Sequence, residues 1–313
     1  MNRCLFCYRL LEDGQIDFHP SCSRLMFGAT IPPVLPYSEE DISVLASEFI
    51  QKRISVTGVQ PKLSLDVIKD GGPKKLTVVG LWGNYILKPP SRHYPNLPEN
   101  EDLVMHLAEL CRIRVVPHTL IRMKSGELAY ITRRIDRTPA GKVHMEDMCQ
   151  LTERWTEQKY SGSYEQIATV ILRHSANPLL DVTAFYELIL FSLLTGNADM
   201  HLKNFSLLSP AGAGCHLAPA YDLVCTAVAN PSDKEELALT LNGKKRRIKR
   251  VDLEKAMTSS GIPLKSVGGI FQRFSQTHFP VMLDFIENSF LPADQKKALS
   301  RLLEIRAESV LMA

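Results

Sequence analysis

In the first part of the chain, the pattern of apolar residues is typical of β-strands. In the later part, apolar residues recur at the spacing of one face of a helix. Alternating apolar positions predict a strand at residues 63–67, and apolar segments predict further strands at 76–81 and 85–88. Two more strands are predicted within 118–133, with a turn at Ser125-Gly126. From about residue 138 onward, apolar positions recur every three to four residues, which predicts helices. The pattern therefore predicts an α+β protein with two lobes, a small β-rich amino-terminal lobe and a mainly helical carboxy-terminal lobe.

Local signals indicate where elements begin and turn. Ser38 and Asp41 have the spacing of a capping box and predict the start of a helix. Gly83-Asn84 predicts a hairpin between the second and third strands. The expected domains are a Cys- and Pro-rich segment with a helix at residues 1–54, a small lobe at 55–135, and a helical catalytic lobe at 136–313.

Composition is that of a globular protein. The 313 residues are 45% hydrophobic and 23% charged, which is enough apolar content for a sizeable core. A net charge of +3 is too small to predict nucleic-acid binding over the whole surface. No apolar run reaches the roughly 18 residues of a membrane span, and no secretory signal is recognisable. Because seven cysteines also favour reduced thiols, we expect a cytoplasmic protein.

A polar loop after a long apolar run carries the strongest chemical signal. Asp199 and Asn204 have the D-x4-N spacing of a kinase catalytic loop, and Asp222 supplies a second carboxylate. Asp199 can accept a substrate hydroxyl, Asn204 and Asp222 offer hard oxygens for Mg²⁺, and Lys203 can meet phosphate charge. Taken alone, the same residues also fit an ordinary solvated turn between a helix and a strand at 205–208.

The amino-terminal third contains residues that fit a nucleotide site. Gly58 lies in a short polar loop at residues 55–62, where a glycine lets the backbone approach phosphates, although a plain loop fits equally well. Lys88 ends an apolar strand, and Glu101 lies at the start of a predicted helix, so the two can form the ion pair of a kinase small lobe. Separately, each also fits an ordinary surface position.

These residues together resemble the HipA family of bacterial serine/threonine kinase toxins. The resemblance extends from about residue 54 to the carboxy terminus. It is carried by the loop at 55–62, the segments 134–137 and 145–150, the Asp199 loop, and Tyr221-Asp222. The segment before the glycine loop is shorter than in HipA toxins, which makes the chain most similar to the short HipT kinase of HipBST toxin–antitoxin systems. A two-lobed protein-kinase-like fold follows from this resemblance.

The resemblance also implies roles for individual residues and partners. It implies catalysis by Asp199 and Lys203, Mg²⁺ binding by Asn204 and Asp222, and autophosphorylation at Ser55 and Thr57. The positions that it implies for ATP binding are Val56, Thr57, Gly58, Val59, Gln60, Lys62, Lys88, Glu101, Arg133, Ile135 and His201. The implied substrate is an aminoacyl-tRNA synthetase, whose phosphorylation inhibits translation. The implied partners are a HipB-like DNA-binding antitoxin and a small HipS-like protein.

Two further motifs allow more than one interpretation. Cys4-x2-Cys7 and His19-x2-Cys22 can close a tetrahedral zinc site, or they can form a small reduced cluster that packs the first residues onto the lobe. The basic run at residues 244–250 can contact nucleic-acid phosphates, or it can be the charged edge of a hairpin strand that follows leucines at 237, 239 and 241.

Two functions are therefore expected. The first is an active serine/threonine kinase toxin that uses ATP and Mg²⁺. The alternative is a catalytically silent subunit that uses a kinase scaffold to hold an antitoxin or a DNA-bound repressor. Retention of Lys88, Asp199, Asn204 and Asp222 favours the active enzyme.

Overall fold

The computed structural model describes residues 2–42, 44–45, 62–68, 73–79 and 82–312. Contacts within the chain divide it into two compact units. The first consists of Met1–Asp102 and Val116–Ile135, and the second of Leu103–Val115 and Asp136–Ala313. The domain boundaries expected from the sequence remain predictions.

The first unit contains a five-stranded antiparallel sheet in its described residues. The strands are β1 (Leu63–Ile68), β2 (Lys75–Val78), β3 (Tyr85–Lys88), β4 (His118–Arg122) and β5 (Leu128–Arg133). Their order is β2-β1-β3-β5-β4. Alternate side chains enter the core, because successive residues of a strand point to opposite faces. Leu65, Leu87, Leu120 and Ile131 are all fully buried.

The hairpin predicted around Gly83-Asn84 is wrong, because β2 and β3 do not pair. Leu65 of β1 pairs with Val78 on one side and with Tyr85 on the other, so β1 separates the two strands. Gly83 instead lies directly against β1. A Cβ at this position would collide with the carbonyl of Leu65. The glycine therefore permits a close backbone approach rather than a two-residue turn.

The first residues pack on the outer strand of this sheet. Helix α1 (Pro20–Phe27) begins at a proline and ends at Gly28 in the left-handed conformation. This helix lies in a segment for which the sequence pattern predicts no regular structure. The carbonyl of Leu5 accepts hydrogen bonds from Leu120 N (3.4 Å) and Thr119 Oγ1 (3.0 Å) of β4. These contacts attach the Cys-rich segment to the sheet.

The capping box at Ser38 and Asp41 is confirmed. Asp41 N donates to Ser38 Oγ (3.2 Å), and Ser38 N donates to Asp41 Oδ2 (2.8 Å). Helical residues follow at 39–42 and 44–45. The apolar positions expected further along this helix, 46, 49 and 50, lie outside the described residues, as does the glycine loop up to residue 61.

Helix α2 (Leu97–Leu110) connects β3 to β4 in the sequence. Glu99 lies in its first turn, where a carboxylate is favoured by the positive end of the helix dipole. The apolar face of this helix is buried, with Leu103, Val104, Leu107 and Ala108 fully inaccessible to solvent.

The second unit is mainly helical, as the pattern predicts. Its strands are β6 (Arg137–Thr138), β7 (Gly141–Lys142), β8 (His144–Asp147), β9 (Ser206–Ser209) and β10 (His216–Leu217). Its helices are α3 (Met148–Leu151), α4 (Tyr164–His174), α5 (Pro178–Leu194), α6 (Thr226–Ala229), α7 (Arg250–Ser259), α8 (Leu264–Arg273), α9 (Phe279–Glu287) and α10 (Ala293–Val310). A π-helical turn, Phe274–His278, joins α8 to α9. None of the helices within the described ranges is long and apolar enough to cross a bilayer.

Helix α5 is the centre of this unit. Its apolar residues are buried almost all round, which is typical of a helix enclosed by other elements. The Phe185 ring contacts the rings of Tyr186 and Phe205, both at a centroid distance of 5.1 Å. Phe205 immediately precedes β9, which pairs with β8 from His144↔Ser209 to Asp147↔Ser206. The polar loop between α5 and β9 is therefore held by packing at both ends.

The basic run at residues 244–250 is not part of a regular hairpin. Residues 237–241 are irregular, and the turn at Asn242-Gly243 is closed by one bridge between Leu241 and Lys244. Lys244 Nζ pairs with Asp252 Oδ1 (2.8 Å), and Arg250 pairs with Glu254 in the first part of α7. Because acidic side chains offset these cations, the run has less charge to offer nucleic acid than its sequence suggests.

Candidate active site

The end of α5 determines where the Asp199 loop begins. Gly196 follows the helix with φ +68°, a left-handed conformation that strains residues with a Cβ. A Cβ here would lie 2.5 Å from Leu302 Cδ2 and 3.0 Å from Ala227 Cβ. The Gly196 carbonyl accepts from Thr226 Oγ1 (3.0 Å), and the same hydroxyl accepts from Ala198 N (2.9 Å). A glycine is therefore required at this exit, and Thr226 fixes the loop that follows.

Asp199 is half-buried and held from two sides. Its Oδ1 accepts a hydrogen bond from the Tyr160 hydroxyl at 2.6 Å. Its backbone carbonyl accepts from Asn204 Nδ2 at 2.9 Å, and its backbone N–H donates to Asn197 Oδ1 at 3.1 Å. Burial and the Asp199 hydrogen bond raise the pKa of Tyr160, so its hydroxyl stays protonated and remains a donor. The carboxylate is thus oriented with one oxygen already engaged.

Asn204 is oriented by the same contact. Its side chain is 5% exposed, and its amide nitrogen donates to the Asp199 carbonyl. Since an amide group has its donor and acceptor on opposite branches, this bond determines the direction of Oδ1. The D-x4-N pair is therefore a hydrogen-bonded unit and not two independent side chains of a flexible turn.

His201 and Lys203 lie within the loop. The His201 side chain is buried and its ring contacts that of Tyr160 at a centroid distance of 5.0 Å. Burial lowers the pKa of His201, an effect partly offset by the charge of Asp199, so the imidazole is neutral near pH 7. Lys203 Nζ pairs with Asp147 Oδ2 at 2.7 Å. Asp147 also caps α3 by accepting from Gln150 N at 3.0 Å.

Asp222 is held close to this loop by its neighbour. The Tyr221 hydroxyl donates to the Lys203 carbonyl (3.1 Å), and Ser206 Oγ therefore donates to the Tyr221 oxygen (2.5 Å). Asp222 itself has φ +57°, an uncommon conformation for a residue with a side chain. Asp222 also contributes to the electrostatic environment of His201. The second predicted metal ligand is thus brought to the same loop as Asp199.

In the first unit, Lys88 and Glu101 form the ion pair that the sequence predicts. Lys88 Nζ lies 2.5 Å from Glu101 Oε1, and the two residues are 5% and 3% exposed. The ammonium also lies over the Tyr130 ring, 5.4 Å from its centroid, which adds a cation–π contact. Burial of both partners makes this pair sensitive to the loss of either one.

A second carboxylate on α2 adjoins this pair. Asp102 Oδ1 accepts from His118 Nδ1 (2.7 Å), and Asp102 Oδ2 accepts from the Tyr8 hydroxyl (2.8 Å). His118 stacks on Tyr130 at a centroid distance of 6.0 Å. Tyr130 therefore contacts both the His118 ring and the ammonium of Lys88.

Some of the other expected nucleotide-binding residues lie outside the described part of the chain, and the rest lie in or near the sheet of the first unit. The loop residues Ser55, Val56, Thr57, Gly58, Val59 and Gln60 lie outside the described residues. Lys62 is half-buried just before β1. Arg133 N donates to the Pro117 carbonyl (2.8 Å), so this N–H is used within the sheet, and its exposed side chain reaches the Leu25 carbonyl. Ile135 is half-buried at the end of the first unit. Their contact with ATP remains a prediction.

The roles of Tyr160, Asp147 and Asp102 were not predicted from the sequence, although Asp147 lies in the segment 145–150 that contributes to the family resemblance. Tyr160 directly precedes the turn Ser161-Gly162, and Asp147 ends a short strand, so neither has a periodic or spacing signal. Asp102 is adjacent to Glu101, and its sequence position does not distinguish it from the other acidic residues near the start of the helix. Only the tertiary contacts show which groups these three side chains bind.

The sequence matches the family model described as HipA-like C-terminal domain over residues 54–280. That segment includes β1 to β10, the Lys88–Glu101 pair, and the Asp199 loop with Asp222. The chain therefore belongs to the HipA-like family.

Individual relatives are similar over part of their length. The chain is 34% identical over 226 residues to the protein named putative kinase Y4dM of Sinorhizobium fredii, covering 68% of this chain and 52% of that protein. It is 29% identical over 192 residues to the serine/threonine-protein kinase toxin HipA of Shewanella oneidensis, covering 55% and 43%. The chain thus spans about half the length of the curated relatives it matches.

A solved structure supports the fold. HipA of Shewanella oneidensis, in a complex with HipB and its operator DNA, superposes with a TM-score of 0.68. The match has 22% identity and covers 96% of this chain and 80% of that chain. The predicted kinase-like α+β fold is confirmed.

Proposed function

We propose that the chain is a serine/threonine protein kinase that uses ATP and Mg²⁺ and acts as the toxin of a toxin–antitoxin system. The observation that carries the proposal is the Asp199 loop. It has a carboxylate, an amide oxygen and a second carboxylate held at one end of a buried helix. Membership of the HipA-like family and the name of the Shewanella relative support the same reaction.

In the proposed reaction, a substrate serine or threonine oxygen forms a bond to the γ-phosphorus of ATP, and the bond from that phosphorus to the β,γ-bridging oxygen breaks. ADP leaves with that electron pair. Asp199 accepts the hydrogen bond of the attacking hydroxyl and then its proton. Since Oδ1 accepts from Tyr160, Oδ2 is the oxygen for the substrate.

Asn204 and Asp222 fit the ligand requirements of Mg²⁺. Both supply oxygen donors, and Asn204 has its amide nitrogen tied to Asp199, so Oδ1 is the atom left for a cation. When bound, Mg²⁺ would offset the negative charge that accumulates on the phosphate oxygens. Lys88, held by Glu101, is assigned to the α- and β-phosphates. Lys203 pairs with Asp147, so this lysine has a structural role in addition to any contact with phosphate.

The substrate and partners are proposed from the family. The proposed substrate is an aminoacyl-tRNA synthetase, and Ser55 and Thr57 are the proposed autophosphorylation sites. A HipB-like DNA-binding antitoxin is the proposed partner, because the Shewanella HipA structure contains HipB and operator DNA. A small HipS-like partner and a cytoplasmic location complete the proposal, which places the chain with the short HipT kinases.

Transfer of ³²P from ATP tests the reaction. We expect Asp199→Ala and Asp222→Ala to lower phosphate transfer by several powers of ten, while Asp294→Ala, an exposed residue of α10, retains wild-type transfer. Circular dichroism should show the same fold in all variants, because Asp199 acts on the transition state. Equal labelling by wild type and both active-site variants would contradict the mechanism.

Substrate identity needs a separate measurement. Phosphoproteomics after induced expression of wild type, with Asp199→Ala as the control, should detect phosphorylation of a synthetase and of Ser55 or Thr57. If purified chain phosphorylates itself but transfers nothing to any member of a synthetase panel, the kinase assignment holds and the synthetase assignment is wrong. If neither transfer occurs, the silent-subunit alternative is favoured.

A further inference from the structure

Three cysteines and a histidine converge at the amino-terminal end of the first unit. The Sγ atoms of Cys4, Cys7 and Cys22 and one ring nitrogen of His19 all lie within 4.8 Å of one another. All three cysteines are free thiols. Cys4 and Cys22 are buried, while Cys7 and His19 are half-buried. The four side chains therefore form a small sulfur- and nitrogen-lined centre next to the protein surface.

The distances fit a tetrahedral metal centre. Cys7 Sγ lies 3.5 Å from His19 Nδ1, and Cys22 Sγ lies 3.7 Å from the same nitrogen. A tetrahedral zinc with Zn–S of about 2.3 Å and Zn–N of about 2.0 Å separates sulfur from nitrogen by about 3.5 Å. The ligands are therefore already arranged at the spacing that a bound zinc would impose.

Hydrogen bonds outside the cluster orient the ligands. His19 Nε2 lies 3.0 Å from the Leu10 carbonyl. Because a carbonyl can only accept, Nε2 carries the proton, and Nδ1 presents its lone pair to the three sulfurs. His19 N also approaches Cys4 Sγ at 3.5 Å, so a backbone amide points at this sulfur from outside the cluster. A cluster that served only for packing would not require this tautomer.

The backbone also supports a metal site. Tyr8 N donates to the Cys4 carbonyl (2.9 Å), and Arg3 bridges Leu10, so Cys4 and Cys7 lie in one tight turn. Cys22 lies in the first turn of α1, which fixes its position relative to His19 just before the helix. Two ligands from a turn and two from the start of a helix are the usual components of a structural zinc site.

We propose that Cys4, Cys7, His19 and Cys22 bind one structural Zn²⁺ that holds residues 2–28 on the sheet. Soft thiolate and imidazole ligands in a closed tetrahedral set select zinc over Mg²⁺ or Ca²⁺. With four protein ligands, no position remains for substrate, so the ion stabilises structure. The segment it closes contacts β4 through Leu5 and, through the Tyr8 hydroxyl, the Asp102 carboxylate of α2.

Metal analysis of the purified 313-residue chain is the direct test. Protein purified without chelator should contain about one equivalent of zinc, and Cys7→Ser and Cys22→Ser should contain less than a tenth of an equivalent. Cys215→Ser is the matched control, since this half-buried cysteine lies in the second unit, and it should retain the wild-type metal content. Wild-type protein with less than a tenth of an equivalent, or with iron in place of zinc, overturns the proposal.

Cobalt substitution tests the ligands without relying on variants that fold poorly. Wild-type protein reconstituted with Co²⁺ should show thiolate-to-metal charge transfer in the near ultraviolet and the strong visible bands of tetrahedral Co²⁺. Zn²⁺ should displace the Co²⁺ and remove both features. Hydrogen exchange at residues 2–28 should become faster when zinc is removed by a chelator. An octahedral cobalt spectrum, or exchange that does not respond to the chelator, contradicts a zinc-held segment.

Discussion

Replacing Lys88 by methionine should destabilise the first unit strongly. Methionine has a similar length and is apolar, so the substitution keeps most of the packing and removes the charge. Glu101 would then be 3% exposed and would lose its ammonium partner. Breaking a buried ion pair by removing one partner costs about 3–5 kcal/mol in the free energy of unfolding. The cation–π contact with Tyr130 would be lost as well.

The double variant Lys88→Met/Glu101→Leu separates stability from catalysis. With both charges absent, neither member of the pair is left as a buried charge without its opposite charge. A buried pair replaced by apolar residues is often neutral for stability. We therefore expect the free energy of unfolding of the double variant to lie within about 1 kcal/mol of the wild-type value. It should still transfer no phosphate, because Lys88 is assigned to the nucleotide phosphates. Arg92→Met, which removes the exposed Arg92–Glu39 pair, is the matched control and should cost about 0–1 kcal/mol.

Urea unfolding followed by far-ultraviolet circular dichroism measures the change in the free energy of unfolding. Hydrogen exchange at β3 shows whether the lost stability belongs to the first unit. Transfer of ³²P from ATP measures the catalytic activity of each variant. A Lys88→Met variant within 1 kcal/mol of wild type would refute the energetic argument, as would a double variant no more stable than the single one. Wild-type transfer by the double variant would remove Lys88 from the phosphate site.

The other predictions concern the second unit. Gly196→Ala should lower the free energy of unfolding, measured in urea, by about 2–4 kcal/mol, because the left-handed backbone is strained and the new Cβ collides with Leu302. Gly243→Ala is the control: its φ is +76° but no atom lies within 4 Å of the new Cβ, so it should cost only about 1 kcal/mol. Tyr160→Phe should lower kcat about tenfold with little change in KM for the protein substrate, since it removes the hydrogen bond that orients Asp199; unchanged steady-state kinetics would exclude a positioning role. Burial lowers the pKa of His278, so the native state binds its proton less readily than the unfolded state. The free energy of unfolding should therefore fall as pH drops from about 7 through the native pKa of this histidine, and His278→Gln should flatten that profile.

Sequence patterns predicted the parts of the site that depend on local order. The strand ending at Lys88 and the helix beginning near Glu101 each have a clear period, and an ion pair between them follows once both elements are placed. The apolar run that forms α5 likewise predicted a buried helix that delivers the Asp199 loop. In each case, the information lies within a few residues of the functional group.

The parts that sequence could not predict depend on contacts between distant residues. The Tyr160 hydroxyl reaches Asp199 across 39 residues, and Asp147 reaches Lys203 across 56. The residues around Tyr160 and Asp147 do not indicate which distant side chain each of them contacts. Gly83 was assigned to a turn because glycine is common in hairpins, whereas its role is the close contact with Leu65. A glycine signals unusual backbone geometry without indicating which kind.

The adjacent carboxylates Glu101 and Asp102 connect the proposed zinc segment to the nucleotide lysine. Successive residues of a helix differ by about 100° in direction, so Glu101 can meet Lys88 while Asp102 points to Tyr8 and His118. Two hydrogen bonds that fix Asp102 also fix the rotation of this helical turn, and with it the direction of Glu101. Tyr8 follows Cys7 directly and has φ +61°, so its position depends on the turn that holds the first two proposed zinc ligands. Loss of zinc is therefore expected to disturb the Lys88–Glu101 pair through Tyr8 and Asp102 before it disturbs the apolar core of the sheet.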